Sequence, residues 1–183
     1  MTAHVKSVPV LVILVSLALA LPSVAQNTPK LSVTSSAFAA GATIPIGYSC
    51  KSPNVESPPL RWNGVPNDAK TLVLILKDPD APNGTFIHWV VYNLPASLSG
   101  LDANAPPTDK LANGAIQGAN SVGQIGYMGP CPPPGSVPHH YHFELSALDI
   151  ALSLKPGATA TQVEDAAQGH VKATGDLVGT FAR

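Results

Sequence analysis

Five polar side chains sit where loops meet apolar runs. They are Asp78 and Asp80 in Asp78–Pro82 (DPDAP), His88 shortly after, and His139 with Tyr141 in His139–Leu145 (HHYHFEL). A carboxylate beside an imidazole accepts from one ring N–H, fixes the tautomer and raises the ring's pKa. If the runs around these residues pair as a hairpin, Asp78 closes one strand and His88 opens the next, so Asp78 is expected to orient His88. Asp80 reads more simply as a turn cap among prolines. Residues two apart on a strand share a face, which sets His139 beside Tyr141.

Strand alternation also divides the histidine cluster. His139, Tyr141, Phe143 and Leu145 take one face, and Phe143 and Leu145 belong in a core. His140, His142, Glu144 and Ser146 take the other. A structural zinc site needs four ligands, which this pattern splits. An inward set of His88, His139 and Asp78 would still make an open three-ligand site, so metal-assisted hydrolysis stays as an alternative. Nucleophilic hydrolysis has less behind it. The chain has no Gly-x-Ser-x-Gly stretch, and Cys131 lies in a proline-bound loop with no helix N-terminus to lower its pKa.

The elements that must position these residues follow from the same patterning. Gly126–Pro138 holds Pro130, Pro132, Pro133, Pro134 and Pro138, which makes it a stiff rim feeding His139 into its strand. Thr71–Leu76 is apolar throughout and reads as a strand buried on both faces. Phe86–Leu94 runs back against it, with His88, Val90 and Tyr92 on one face and Ile87, Trp89 and Val91 on the other. Leu31–Phe38 and Leu60–Trp62 read as short strands, Ile44–Tyr48 as an edge strand, Tyr141–Ile150 as a strand, and Leu177–Phe181 as the last. Pro95–Gln124 lacks periodicity and reads as a long surface excursion. Thr159–Lys172 is the one helix candidate, capped by Thr159 or Thr161, with a stripe of Val163, Ala166, Ala167, His170 and Val171, and Gly175 ending it. The result is a mostly antiparallel β architecture with one late helix.

Composition bounds the rest. The 183 residues suit one domain. His4 and Lys6 precede an apolar run from Val8 to Leu21, and Ser23-Val24-Ala25 offers a small-x-small cleavage pattern. Residues 1–25 therefore read as a secretory signal peptide, 26–30 as a linker and 31–183 as the domain, exported to the periplasm or secreted. The apolar run is shorter than the ~20 residues a bilayer span needs, so no transmembrane segment is expected after its removal. With nine Lys/Arg against eleven Asp/Glu once Lys6 is gone, and no basic stripe, nucleic acid is not an expected partner. Cys50 and Cys131 either pair or remain free; export permits a disulfide, and the sequence leaves both states open.

Taken together, DPDAP, HWVVYNLP from His88, GPCPPPG at Gly129–Gly135 and HHYHFELSALD from His139 closely resemble the phosphatidylethanolamine-binding protein family, in its bacterial Raf-kinase-inhibitor-like branch. IPIGYSC at Ile44–Cys50, SPPLRWNGVP at Ser57–Pro66 and the ending GDLVGTFAR add to the match. The resemblance implies a two-sheet antiparallel sandwich with one or two short helices, one of them near the C-terminus. It implies a pocket for phosphate, a phospholipid head group or a carboxylate, built from Asp78, Pro79, Pro82, His88, Cys131, His139 and Tyr141. The family's usual Arg between the His and the Tyr is His140 here, which removes a permanent charge beside the site. The expected function is non-enzymatic binding without a cofactor, stronger where histidine is protonated. A protein-interaction module, such as an inhibitor of a protease or host factor, is the alternative. In that case the Pro95–Gln124 excursion and the rim would carry affinity.

Overall fold

The structure is a computed structural model that describes residues 29–183 and the first two residues of the chain. Residues 3–28, which hold nearly all of the expected signal peptide and most of the expected linker, lie outside the described residues. Six consecutive apolar or β-branched residues put β3 (Thr71–Asp78) at the centre of a sheet, buried on both faces as far as Leu76. It pairs antiparallel with β4 (Phe86–Pro95) on one side and β7 (His139–Leu148) on the other. Outside these lie β6 (Ile116–Gln117) and β8 (Val171–Phe181), giving the five-stranded order β6-β4-β3-β7-β8. A second sheet of three short strands, β1 (Ser32–Thr34), β2 (Leu60–Asn63) and β5 (Gly100–Leu101), runs in the order β1-β2-β5. The fold is the expected antiparallel two-sheet sandwich.

Alternation sorts the core into two halves. Leu72, Leu74 and Leu76 of β3 face the space between the sheets with Trp62, Trp89, Phe143 and Leu145. Val73 and Ile75 face the other way, onto Val163 and Ala167 of helix α1 (Ala160–Ala167). Thr159 caps α1 with a reciprocal capping box to Gln162. The long β8 edge is not left open. Pro29, Leu31, Gly41, Ala42 and Ile44 trade backbone hydrogen bonds with Thr174, Val178 and Thr180, which shields an edge that would otherwise template pairing.

Four expected elements differ from the observed ones. Ile44–Tyr48 is not a strand. Thr43 bridges Thr180, Ile44 is buried, and Pro45 then leads into one 3-10 turn at Ile46–Tyr48. The helix stops at Ala167 because Gly169 takes φ +81, and Val171 already belongs to β8. Gly175 therefore lies inside a strand rather than ending a helix. A Cβ there would lie 2.5 Å from the Leu31 carbonyl oxygen, so its small size admits the edge-covering segment. Leu31–Phe38 contributes only the three residues of β1.

Pro95–Gln124, finally, is more than a surface excursion. It supplies β5 and β6, and Leu101, Leu111, Ala115, Gln117 and Asn120 are all buried. Gln117 anchors it, accepting from Trp89 Nε1 at 2.7 Å and donating to the carbonyls of Pro106 and Thr108. A fully satisfied buried amide of this kind fixes a loop that hydrophobic periodicity cannot predict.

Candidate functional site

The open end of β3, β4 and β7 gathers the predicted polar residues. The β3–β7 register pairs Lys77 with His142, and continuing it sets Asp78 across from Tyr141 with His139 just beyond. Asp78 thus reaches His139. Its Oδ2 accepts from His139 Nδ1–H at 2.9 Å, with both side chains about 5% exposed. Its Oδ1 accepts from the Asp80 N–H at 3.0 Å. The expected Asp78–His88 hydrogen bond is replaced by this one.

His88 is positioned by a bulge. Leu76 pairs with Trp89 but Lys77 pairs with Ile87, so β4 carries one extra residue there, and that residue is His88. The bulge breaks the expected face shared with Val90 and Tyr92, which pack on the helix side with Ile87. His88 instead meets Tyr141, with ring centroids 5.3 Å apart and edge to face. Re-aiming one side chain at the end of a sheet is what such bulges do. Its Nδ1 lies 2.9 Å from the Met128 carbonyl, and Met128 N–H returns a bond to the His88 carbonyl. A carbonyl only accepts, so Nδ1 carries the proton. Burial lowers the His88 pKa below its ordinary value of 6.5, outweighing the Met128 carbonyl and the charge of Asp78.

A cavity of about 300 Å³ joins these groups. Asp78, Pro82, His88, Cys131 and His139 line it, together with Phe86, Met128, Val122, Ala81, Pro132 and Pro133. Of the predicted set, Pro79 and Tyr141 are not in its wall. The Tyr141 hydroxyl is buried beneath and meets no hydrogen-bond partner. Burial first, and then the negative charge of Asp78, push its pKa far up, so it stays a neutral donor. Met128 was missed because it acts through its carbonyl, which no residue type announces. Phe86 carried a signal, as an aromatic opening the same strand as His88.

Cys50 and Cys131 are joined in a disulfide, with Cα atoms 5.4 Å apart, tying the turn after Tyr48 to the rim. Asp80 is not the turn cap expected of it: Asp78 caps the turn by accepting the Asp80 N–H, and the Asp80 carboxylate reaches His140 instead. Its Oδ2 accepts from both the N–H and the Nδ1–H of His140, at 2.8 Å each, and those bonds lower its pKa. His142 is likewise held by Asp176. Among the described residues no group of three or more His, Cys, Asp or Glu is arranged to hold a metal ion. Asp78, the carboxylate of the expected three-ligand set, already spends its oxygens on His139 and Asp80.

An antiparallel sandwich whose sheet end holds a small, rigid-walled cavity with two histidines is a ligand-pocket architecture. The profile of the phosphatidylethanolamine-binding protein family matches residues 34–182, and the chain belongs to that family. A UPF0098 protein of Methanothermobacter thermautotrophicus is 46% identical over 147 residues, covering 80% of this chain and 95% of that one. A Mycobacterium tuberculosis protein whose name is "Putative lipoprotein LppC" is 43% identical over 158 residues, covering 86% of this chain and 75% of its own. The crystal structure of a phosphatidylethanolamine-binding protein homologue from Chlamydia trachomatis, CT736, superposes with a TM-score of 0.76 at 42% identity, covering 85% of this chain and 99% of that one.

Proposed function

We propose that this protein binds a small phosphate-bearing or carboxylate anion in the His88–His139 cavity, without catalysing a reaction on it. One observation carries the reading. Both imidazoles commit Nδ1 to a fixed acceptor, Met128 carbonyl or Asp78 carboxylate, and both line one cavity, so Nε2 of each is the atom left for a ligand. A neutral imidazole held this way presents a lone pair at Nε2, and a protonated one presents a donor. Anion binding is therefore coupled to a proton, taken from solvent or carried in by a protonated phosphate. The Tyr141 hydroxyl, buried and unpartnered, is a third group such a ligand would satisfy after a small movement.

The apolar lining from Pro82, Phe86, Pro132 and Pro133 suits a compact head group and strengthens each polar contact by excluding water. No serine, threonine or free thiol lines the cavity, since the Cys131 sulfur is in a disulfide. The disulfide, the pattern of residues 1–25 and the lipoprotein name of the mycobacterial relative together support export. Among the described residues no helix is long and apolar enough to cross a membrane.

Calorimetric titration of inorganic phosphate and of phosphorylethanolamine, over about pH 5 to 8, tests the reading. That window brackets the ordinary histidine pKa. Affinity should rise as pH falls, and His88→Ala should weaken it roughly 10- to 100-fold, the size of one charge-assisted hydrogen bond. Binding that ignores both pH and His88→Ala would remove the pocket from the account and favour the protein-interaction alternative.

A further inference from the structure

The last residue of the chain lies against the disulfide. Arg183 Nη1 is 3.3 Å from Cys131 Sγ and 4.0 Å from Cys50 Sγ, on an exposed part of the surface. Both cysteines are partly exposed. A guanidinium does little for a neutral disulfide, but it stabilises a thiolate by direct charge attraction, and it is placed closer to one sulfur than to the other. The anion site does not require this arrangement.

We infer that the Cys50–Cys131 bond is a site of thiol–disulfide exchange with a defined direction, in which a dithiol reductant attacks Cys50 and Cys131 departs as a thiolate facing Arg183. A reductant thiolate bonds to Cys50 Sγ; the Cys50–Cys131 bond breaks and its electron pair leaves on Cys131 Sγ. The reductant's second thiolate then displaces Cys50 Sγ from the mixed disulfide, and Cys50 takes up a proton. Two electrons pass from the dithiol to the protein, and the dithiol becomes a disulfide. A leaving thiol of lower pKa departs faster, so Arg183 selects which sulfur is attacked.

The surrounding structure is built to survive the opening. Cys50 N–H donates to the Pro130 carbonyl at 3.1 Å, and Tyr127 Oη donates to the Tyr48 carbonyl at 2.7 Å, holding the same two segments together without the sulfur bond. Gly135 N–H donates to the Arg183 carbonyl at 3.1 Å, which keeps Arg183 on the rim. The consequence of reduction is local: a thiolate appears in the cavity wall, because Cys131 lines it.

The test is exchange of the intact oxidised protein with reduced glutathione, quenched early with iodoacetamide and mapped by peptide mass spectrometry. Glutathione should be found on Cys50 and the alkyl group on Cys131, in about threefold excess over the reverse, which is what a one-unit difference in thiol pKa delivers at a Brønsted coefficient of about one half. Arg183→Ala should bring that ratio close to one, and Arg183→Lys, which keeps the charge, should largely restore it. Circular dichroism of the exposed-site variants verifies that they fold. Equal labelling of the two cysteines in the unaltered protein, or reaction only after denaturant is added, overturns the proposal.

Discussion

Strand β7 carries three of the chain's six histidines in four residues, and its two faces use them differently. On the inner face His139 donates Nδ1–H to Asp78; on the outer face His140 and His142 donate Nδ1–H to Asp80 and Asp176. The three pairs join the same atom types at nearly the same distance, 2.8–2.9 Å. What separates them is water. The His139 side chain is 5% exposed and His140 is 55% exposed. An outer pair is screened and shares its donors with solvent, whereas the inner pair shares a cavity with a second oriented imidazole and lies above a buried phenol. Pairing alone therefore does not make a site. Burial and convergence do.

Removing the acceptor on each side gives the largest contrast. Asp78→Ala leaves a buried imidazole and the Asp80 N–H without their partner, and should cost about 3–5 kcal/mol of stability, the range for breaking a buried pair. Asp80→Ala strips an exposed pair and should cost no more than about 1 kcal/mol. Urea unfolding of both variants checks this, and equal losses would erase the distinction between the faces.

Acid provides the next contrast. His88 is held neutral, with a pKa below that of the unfolded chain. Its contribution is complete above about pH 6.5, the unfolded value, and is lost as pH falls from there through the folded value. The ligand-free protein should thus lose stability over the range in which anion affinity rises. Thermal unfolding of His88→Gln against the unaltered protein should show a shallower acid slope in the variant. Parallel slopes would mean that His88 is not the group responsible. The smallest effect is expected for His140→Ala and His142→Ala, each within about 1 kcal/mol of the parent and without influence on phosphate affinity.

Much of this arrangement was legible in the sequence, and the gaps have physical causes. The unbroken apolar run Thr71–Leu76 and the alternation from His139 to Leu145 announce β3 and β7, and with them the inward place of His139 and Tyr141. The separation of His139 from His140 and His142 follows from that alternation alone. The His88 bulge does not, because one inserted residue in β4 leaves composition and periodicity almost untouched while reversing the face of what precedes it. Nearness in sequence pairs Asp78 with His88, whereas the register of β3 with β7 delivers His139. Ile44–Tyr48 carries β-forming residues, yet pairing with Thr180 ends at Ile44 and Pro45 turns the chain away. In sequence the cysteines are as consistent with free thiols as with a bond, because the pairing depends on the rim folding back on the Tyr48 turn.

The central claim is that Nε2 of His88 and of His139, and no other imidazole nitrogen on this end of the sheet, receives the anion. Nitrogen-15 NMR of the histidine rings across a pH titration, with and without inorganic phosphate, tests it most directly. The account predicts that His88 and His139 both rest in the Nδ1–H form and that phosphate moves their Nε2 resonances, while those of His140 and His142 stay in place. Phosphate that leaves the inner pair unmoved, or that moves the outer pair equally, would contradict it.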